Sequence, residues 1–312
     1  MGQNQTVGRF APSPSGRMHL GNVFSAALAW LSAKSKGGKM VLRIEDLDTA
    51  RCKPEYAKQL IDDLTWLGFT WDAGGLVPGY VQSEETAFYE TALAEIAKRA
   101  QIYPCYCTRE ELHAADAPHL SDGTVRYTGR CRSLTPQQRA AAARRSAAIR
   151  LAVPNETISF ADGHMGVRCE NLQTECGDFI LRRSDGIFAY QLAVVADDIR
   201  MGVTEVVRGC DLLSSTARQI YLYRLLQASP PQFYHIPLLC AEDGRRLSKR
   251  EKDLDMGALR EIYTAPQIVG RIGSFANLVP RGTEITLSEL ATLFDWEKIP
   301  RNHIVVRAQD LK

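Results

Sequence analysis

The feature that most constrains this fold is the alternation of strand and helix patterns in the first 70 residues. Apolar and polar residues follow strand, helix, strand and helix patterns in turn at 6–11, 22–36, 39–44 and 54–66. Gly37 and Gly38 end the first helix pattern, and Pro54 begins the second. This β-α-β-α order predicts an α/β fold, a Rossmann-like, doubly wound parallel sheet.

The pattern changes near residue 100, after a further helix at 84–100. Residues 102–134 predict an irregular, cysteine-bearing stretch, and 135–148 a polar helix that begins near Pro136. Residues 148–192 are strand-rich, and helix and strand then alternate again to residue 239. We therefore expect one sheet that is split by an insertion. The expected segments are 1–100 (first half of the sheet domain), 101–190 (insertion), 191–255 (second half) and 256–312 (a small helical C-terminal extension).

Composition restricts the class of protein. Hydrophobic residues make up 45% and charged residues 24%, which is typical of a globular protein, and no apolar run reaches the length of a membrane span. The polar N-terminus has no apolar signal core, so we expect a cytoplasmic protein with no membrane partner. The net charge of +2 neither indicates nor excludes a nucleic-acid partner. In that compartment the eight cysteines are expected to be reduced.

The first chemical motif joins the first strand to the first helix. Residues 9–22 read RFAPSPSGRMHLGN. Glycines at 16 and 21 allow a ligand to approach the backbone, and His19 precedes a helix start, where phosphate is stabilised. Taken alone, the segment is also compatible with a proline-rich turn and a surface histidine.

The second motif is a basic run, RRLSKR at residues 245–250, which follows a strand-like segment and a turn at Asp243-Gly244. A basic run by itself is typical of a solvated face.

Together, the two motifs resemble the class I aminoacyl-tRNA synthetases of the glutamyl type. Residues 9–22 resemble their extended HIGH signature, with Asn22 in place of the last histidine, and residues 246–250 resemble their KMSKS loop. The resemblance implies that ATP, with Mg²⁺, is bound by His19, Gly21, Asn22, Ser248 and Lys249. Of these, it implies catalytic roles for His19 and Lys249.

The resemblance also implies a pocket for glutamate. It places Arg9, Ser13, Glu45, Tyr190 and Arg208 around this substrate, with Glu45 closing the second strand and the last two closing later strands. Arginine suits a carboxylate because its planar fork can bind both oxygens. The substrate carboxylate attacks the α-phosphorus of ATP, so positioning and cationic stabilisation are required and a general base is not. For Asp46, Asp48, Asp197 and Asp198 we expect surface ion pairs.

Three of the cysteines form a cluster. Cys105 and Cys107 have the spacing C-x-C, and Cys131 follows about 25 residues later. This donor set suits zinc, with His113 or His119 as the fourth ligand by type, although buried free thiols are the alternative. The pattern also resembles the zinc site of shortened paralogues of the glutamyl family, which implies Tyr127 as the fourth ligand and leaves His119 as the alternative. Such a zinc would be structural, bracing an insertion that contacts tRNA.

The C-terminal part decides between branches of the family. The resemblance covers about residues 6–255, and about 60 residues follow Lys252, too few for a large anticodon-reading helical domain. This implies a truncated paralogue that attaches glutamate to queuosine in the anticodon of tRNA(Asp), and we expect it to be a monomer. The alternatives are a conventional glutamyl-tRNA synthetase core that charges tRNA(Glu), a non-catalytic zinc-containing RNA-binding module, and another class I-like nucleotidyltransferase.

Overall fold

The structure is a computed structural model that describes residues 5–114, 126–245, 247, 254–307 and 310. Among these residues, no helix combines the length and apolar character that crossing a membrane requires. The strands are β1 (Val7–Phe10), β2 (Lys39–Leu42), β3 (Ala73–Gly74), β4 (Ile102–Cys105), β5 (Ala148–Leu151), β6 (Thr157–Asp162), β7 (Gly166–Asn171), β8 (Phe179–Arg182), β9 (Glu205–Gly209), β10 (Gln232–Ile236), β11 (Leu239–Cys240) and β12 (Ile304–Val305). The helices are α1 (Leu20–Ser35), α2 (Pro54–Trp66), α3 (Thr86–Ala97), α4 (Arg109–Ala114), α5 (Pro136–Ala142), α6 (Tyr190–Arg200), α7 (Thr216–Leu225), α8 (Met256–Ile262), α9 (Ala265–Phe275) and α10 (Leu287–Thr292).

A five-stranded parallel sheet forms the centre of the fold, in the order β10-β9-β1-β2-β3. Strand β1 pairs with β2 on one side and with β9 on the other, so the chain order reverses beside β1. In open parallel sheets ligands bind at such a switch point, beyond the carboxyl ends of the strands. The predicted α/β fold with a parallel sheet is confirmed.

Helix α1 lies against β1 and begins two residues earlier than the sequence pattern predicted. His19 is its N-cap: the ring Nδ1 accepts a hydrogen bond from the Gly21 N–H at 3.1 Å. The Asn22 side chain in turn accepts from the His19 N–H at 3.1 Å. The prediction missed this start because serine, threonine, aspartate and asparagine are the usual N-cap residues.

Between the two halves of the sheet, the chain forms a three-stranded antiparallel sheet, β4-β5-β8, and the hairpin β6-β7. The prediction that 102–134 is irregular was wrong at its start, because β4 buries Tyr103 and Cys105 on alternate positions and pairs with β5. The polar helix expected at 135–148 ends at Ala142, and its last residue already belongs to β5.

The C-terminal segment packs on α1 through α9 and α10, and Trp296 donates from Nε1 to Ser32 Oγ at 3.2 Å. It is not wholly helical, because β12 pairs in parallel with β11. Gly270 and Gly273 both lie inside α9. A Cβ at Gly270 would lie 1.7 Å from the Thr283 carbonyl oxygen, so the close approach of that loop requires glycine.

Candidate active site

A cavity of about 440 Å³ opens at the carboxyl ends of β1 and β9, where the strand order reverses. Seven of the predicted site residues line it: Arg9, Ser13, His19, Asn22, Glu45, Tyr190 and Arg208. Gly21 lies beside it in a narrow cleft that His19 shares. Tyr190 is the first residue of α6 and does not close a strand as expected, while Arg208 lies within β9. Four separate chain segments therefore supply one site.

His19 presents a defined tautomer to the cavity. Its Nδ1 accepts from the Gly21 N–H, so the neutral ring carries its proton on Nε2. A ring N–H at a helix N-terminus is suited to donate to a phosphate oxygen, and the helix dipole also stabilises the negative charge of the phosphate.

Arg208 is a buried cation whose hydrogen-bond partners are all neutral. Its Nε donates to His235 Nε2 at 2.9 Å. Nη1 donates to Gln219 Oε1 at 2.7 Å, and Nη2 to Thr216 Oγ1 at 2.9 Å. Within the described part of the chain Arg208 forms no ion pair, and burial lowers its pKa. A guanidinium in this setting lacks a counter-charge that an anionic ligand can supply.

Arg9 adds a second positive charge to the same cavity. Its Nη1 donates to the Val207 carbonyl at 3.4 Å, and its Nε lies 3.7 Å from an Asp198 carboxylate oxygen. That Nε–H makes no hydrogen bond within the described residues. Arg9 and Arg208 thus give the cavity unsatisfied donor capacity for a carboxylate.

Glu45 gives the cavity its negative group and accepts hydrogen bonds from Arg43. Arg43 is fully buried and donates to Glu45 Oε1 from Nε at 3.3 Å and from Nη2 at 3.1 Å. Both bonds go to one oxygen, so Oε2 retains its capacity to bind a ligand ammonium. Burial raises the pKa of Glu45, against the lowering effect of Arg43 and Arg9.

The same Arg43 binds Asp197 and Asp198, two of the four aspartates for which surface ion pairs were expected, and for these two the expectation was wrong. Asp197 is 0% and Asp198 3% exposed. Arg43 Nη1 lies 2.6 Å from Asp198 Oδ1, and its Nε lies 3.7 Å from Asp197 Oδ2. Burial raises the pKa of Asp197, which Gln82 and Tyr89 also bind. Arg43, a charged residue within the otherwise apolar run 40–44, was the sequence signal that could have indicated this network.

Ser248 and Lys249 of the second motif lie outside the described residues. The described residues on either side of them contact the His19 loop. Leu247 lines the narrow cleft with His19 and Gly21, and the Met256 N–H donates to the Met18 carbonyl at 2.9 Å.

The predicted metal ligands lie together at the start of the insertion. The sulfur atoms of Cys105, Cys107 and Cys131 are all within 4.8 Å of one another, and those of Cys107 and Cys131 are 3.5 Å apart. Tyr127 Oη is 3.7 Å from Cys107 Sγ and accepts from the Cys131 N–H at 2.7 Å. Thiolates bound tetrahedrally to one zinc, with Zn–S bonds of about 2.3 Å, lie roughly 3.8 Å apart, so this donor set fits a zinc ion. His119 and the His113 side chain lie outside the described part of the chain.

Known proteins resemble this chain over nearly its whole length. Residues 5–271 match the family of class I tRNA synthetases (E and Q), catalytic domain. Glutamyl-Q tRNA(Asp) synthetases from Symbiobacterium thermophilum and Nitratidesulfovibrio vulgaris are each 45% identical to this chain over 97% of its length. The matches span 97% of the first enzyme and 96% of the second. The enzyme of that name from Neisseria meningitidis serogroup C is 47% identical over 96% of this chain and 98% of its own.

Solved structures agree with this relationship. A glutamate tRNA ligase from Elizabethkingia meningosepticum, in complex with its amino acid, superposes with a TM-score of 0.82 at 28% identity, covering 99% of this chain and 68% of the other. The glutamate-tRNA synthetase of Elizabethkingia anophelis gives a TM-score of 0.83 at the same identity and covers 99% and 69%. With the cavity and the matched motifs, these similarities establish that the chain belongs to the class I tRNA synthetases of the E and Q type and, within them, to the glutamyl-Q tRNA(Asp) synthetase family.

Proposed function

We propose that this protein activates L-glutamate with ATP and transfers it to queuosine in the anticodon of tRNA(Asp). The observation that carries the proposal is Arg208, a buried guanidinium with only neutral partners among the described residues, in a cavity with Arg9 and Glu45. An amino acid with a second carboxylate supplies the missing charge, and glutamate is such an amino acid. The relatives named glutamyl-Q tRNA(Asp) synthetase support the choice of acceptor.

Each site residue has a proposed role toward glutamate. Arg208 and Arg9 bind the side-chain carboxylate, Glu45 Oε2 binds the ammonium group, and Tyr190 and Ser13 complete the pocket. The α-carboxylate is then directed toward the His19 loop. Its oxygen bonds to the α-phosphorus while the bond from that phosphorus to the bridging oxygen breaks, so pyrophosphate leaves with the electron pair. Preorganised cations stabilise the charge that develops in this step.

ATP enters as its Mg²⁺ complex in the proposed reaction. His19 donates from Nε2 to a phosphate oxygen, and Gly21 and Asn22 form the helix start beside it. Ser248 and Lys249 of the second motif are also proposed to bind the phosphates. In the second step a hydroxyl of queuosine's cyclopentenediol attacks the activated carbonyl and an ester bond forms. The bond between the carbonyl carbon and the phosphate oxygen breaks, AMP leaves with the electron pair, and the hydroxyl proton is released to solvent.

We propose that Cys105, Cys107, Tyr127 and Cys131 hold one structural zinc ion, with His119 as the alternative fourth ligand. When bound, the metal would cross-link the end of β4 to the segment before α5. The proposed domain division keeps the boundaries 1–100, 101–190, 191–255 and 256–312, and we propose a monomer.

Changing Cys131 to Ser is expected to reduce bound zinc from about one ion per chain to a small fraction of that, because a tetrahedral structural site needs all its ligands. Metal content after dialysis and the temperature of thermal unfolding measure the effect. Changing the exposed Cys169 to Ser is the matched control and should leave both unchanged. Equal zinc content in the Cys131 and Cys169 variants would contradict the proposal. So would a wild-type protein that holds no zinc after it is refolded in the presence of zinc. Changing Tyr127 to Phe tests the fourth ligand, with faster zinc loss to a chelator expected.

Glutamate-dependent ATP–pyrophosphate exchange is expected without any tRNA, and none with glutamine or aspartate, because only glutamate carries its second carboxylate at the right length. Transfer of labelled glutamate should then occur to tRNA(Asp) with queuosine and not to tRNA(Asp) without it. Charging of tRNA(Glu) instead indicates the conventional synthetase core. Absence of both exchange and transfer indicates the non-catalytic RNA-binding module.

A further inference from the structure

A buried chain of hydrogen bonds leads from Arg208 to the hairpin β6-β7 of the inserted segment. Arg208 Nε donates to His235 Nε2 at 2.9 Å, and His235 Nδ1 lies 2.6 Å from Asp162 Oδ2. Asp162 is the last residue of β6, and His235 lies in β10. The side chains of His235 and Asp162 are completely buried, so water does not compete for these hydrogen bonds.

The two bonds of His235 fix its protonation. A guanidinium is only a donor, so His235 Nε2 must accept, and the single proton of the neutral ring lies on Nδ1, where it is donated to Asp162. Burial lowers the pKa of His235 to about 4, with Arg208 acting in the same direction and Asp162 against it. At neutral pH the ring is therefore uncharged and can serve as an acceptor for the guanidinium.

Asp162 is itself held by the backbone. Its Oδ1 accepts from the N–H groups of Met165 at 2.7 Å, His164 at 3.0 Å and His235 at 3.2 Å. The turn after β6 is joined to β10, since the Gly163 N–H donates to the Phe233 carbonyl at 2.8 Å. A Cβ at residue 163 would lie 2.2 Å from the Tyr234 ring, so this contact requires glycine.

We propose that Asp162 and His235 are positioning residues that orient the Arg208 guanidinium toward the side-chain carboxylate of glutamate. This inference rests on the proposed function. A carboxylate placed directly on Arg208 would compete with the substrate, whereas a neutral imidazole holds Nε without neutralising the charge. The aspartate fixes the imidazole tautomer from the far side, as a hydrogen-bonded second partner does for other functional histidines. The hairpin thereby contributes to glutamate binding without touching glutamate.

Two amide variants of His235 separate positioning from a general structural role. In His235→Gln the amide oxygen can replace Nε2 as the acceptor for Arg208. In His235→Asn the shorter amide can replace only the Nδ1 donor to Asp162. We expect the KM for glutamate in ATP–pyrophosphate exchange to rise about 10- to 100-fold in the Asn variant, the effect of losing a hydrogen bond to a charged group. The Gln variant should stay within about 3-fold of wild type, and the KM for ATP should change little in both.

Asp162→Asn is the second variant, because it leaves His235 able to adopt either tautomer, and it should also raise the KM for glutamate. Val167→Ala is the control, because the Val167 side chain is exposed on the same hairpin, and it should leave the KM for glutamate unchanged. Nitrogen NMR of labelled histidine reads the tautomer without any substrate: Nδ1 protonated in wild type, a mixture in Asp162→Asn.

Equal glutamate KM values in the Gln and Asn variants, a parallel rise in the KM for ATP, or a wild-type ring protonated on Nε2 overturns the inference. Wild type that shows the expected tautomer but no glutamate-dependent exchange contradicts the proposed function instead.

Discussion

Changing Arg208 to Lys is expected to reduce kcat/KM for glutamate in ATP–pyrophosphate exchange by about 100- to 1000-fold. Truncating one partner of a buried, hydrogen-bonded charge pair costs roughly 2–5 kcal/mol. Lysine keeps the charge, but one ammonium cannot reproduce a planar fork that is held at Nε, Nη1 and Nη2 by three different side chains. We expect the loss to fall mainly on the KM for glutamate, and initial rates over a range of glutamate and ATP concentrations measure it.

The matched control for this change is Arg224→Lys, on α7. Arg224 is about half exposed and pairs with the similarly exposed Glu156, so its replacement by lysine should leave exchange unchanged. An Arg208→Lys variant that retains glutamate-dependent exchange within about 3-fold of wild type would show that Arg208 does not bind the substrate carboxylate.

The parallel sheet could be predicted from sequence because its signals are local. The apolar periodicity of β1, α1, β2 and α2 lies within short windows and does not depend on what each element packs against. The start of α1 was missed by two residues because the cap is a histidine, which is not among the usual N-cap residues. The strand β4 was missed because a proline and a cysteine hide its alternation, which only pairing with β5 makes visible.

The candidate site was predicted through the resemblance of its motifs, and the structure places those described residues around one cavity. The residues that hold them in place were not predicted. Arg43, Asp197 and Asp198 look like surface charges in a linear sequence, because their burial depends on β2 lying beside β1 and on α6 bringing its two aspartates to Arg43. Asp162 is more than 40 residues from Arg208, and only the fold of the insertion brings the hairpin to β10.

Changing Arg43 to Met is expected to lower the free energy of unfolding at pH 7 by about 3–5 kcal/mol, the cost of leaving buried carboxylates without their cation. Methionine keeps the unbranched aliphatic stem of arginine but has no guanidinium, so the ion pairs to Asp198 and Glu45 are lost. Denaturation by urea, followed by circular dichroism, measures the change. Arg183→Met is the control, because Arg183 and its partner Asp185 are both exposed, and it should cost less than about 1 kcal/mol.

The pH dependence of the Arg43→Met variant identifies the cause of its instability. Burial already raises the pKa of Glu45 and of Asp197, and Arg43 opposes this rise. Without Arg43 both pKa values rise further. As pH falls from 7 toward 5, these two carboxylates therefore take up protons in the folded variant, while in the unfolded chain they stay ionised. The free energy of unfolding therefore increases relative to wild type as pH falls, and the difference between them narrows. A difference that is constant over this pH range would mean that lost packing, and not unpaired carboxylates, destabilises the variant.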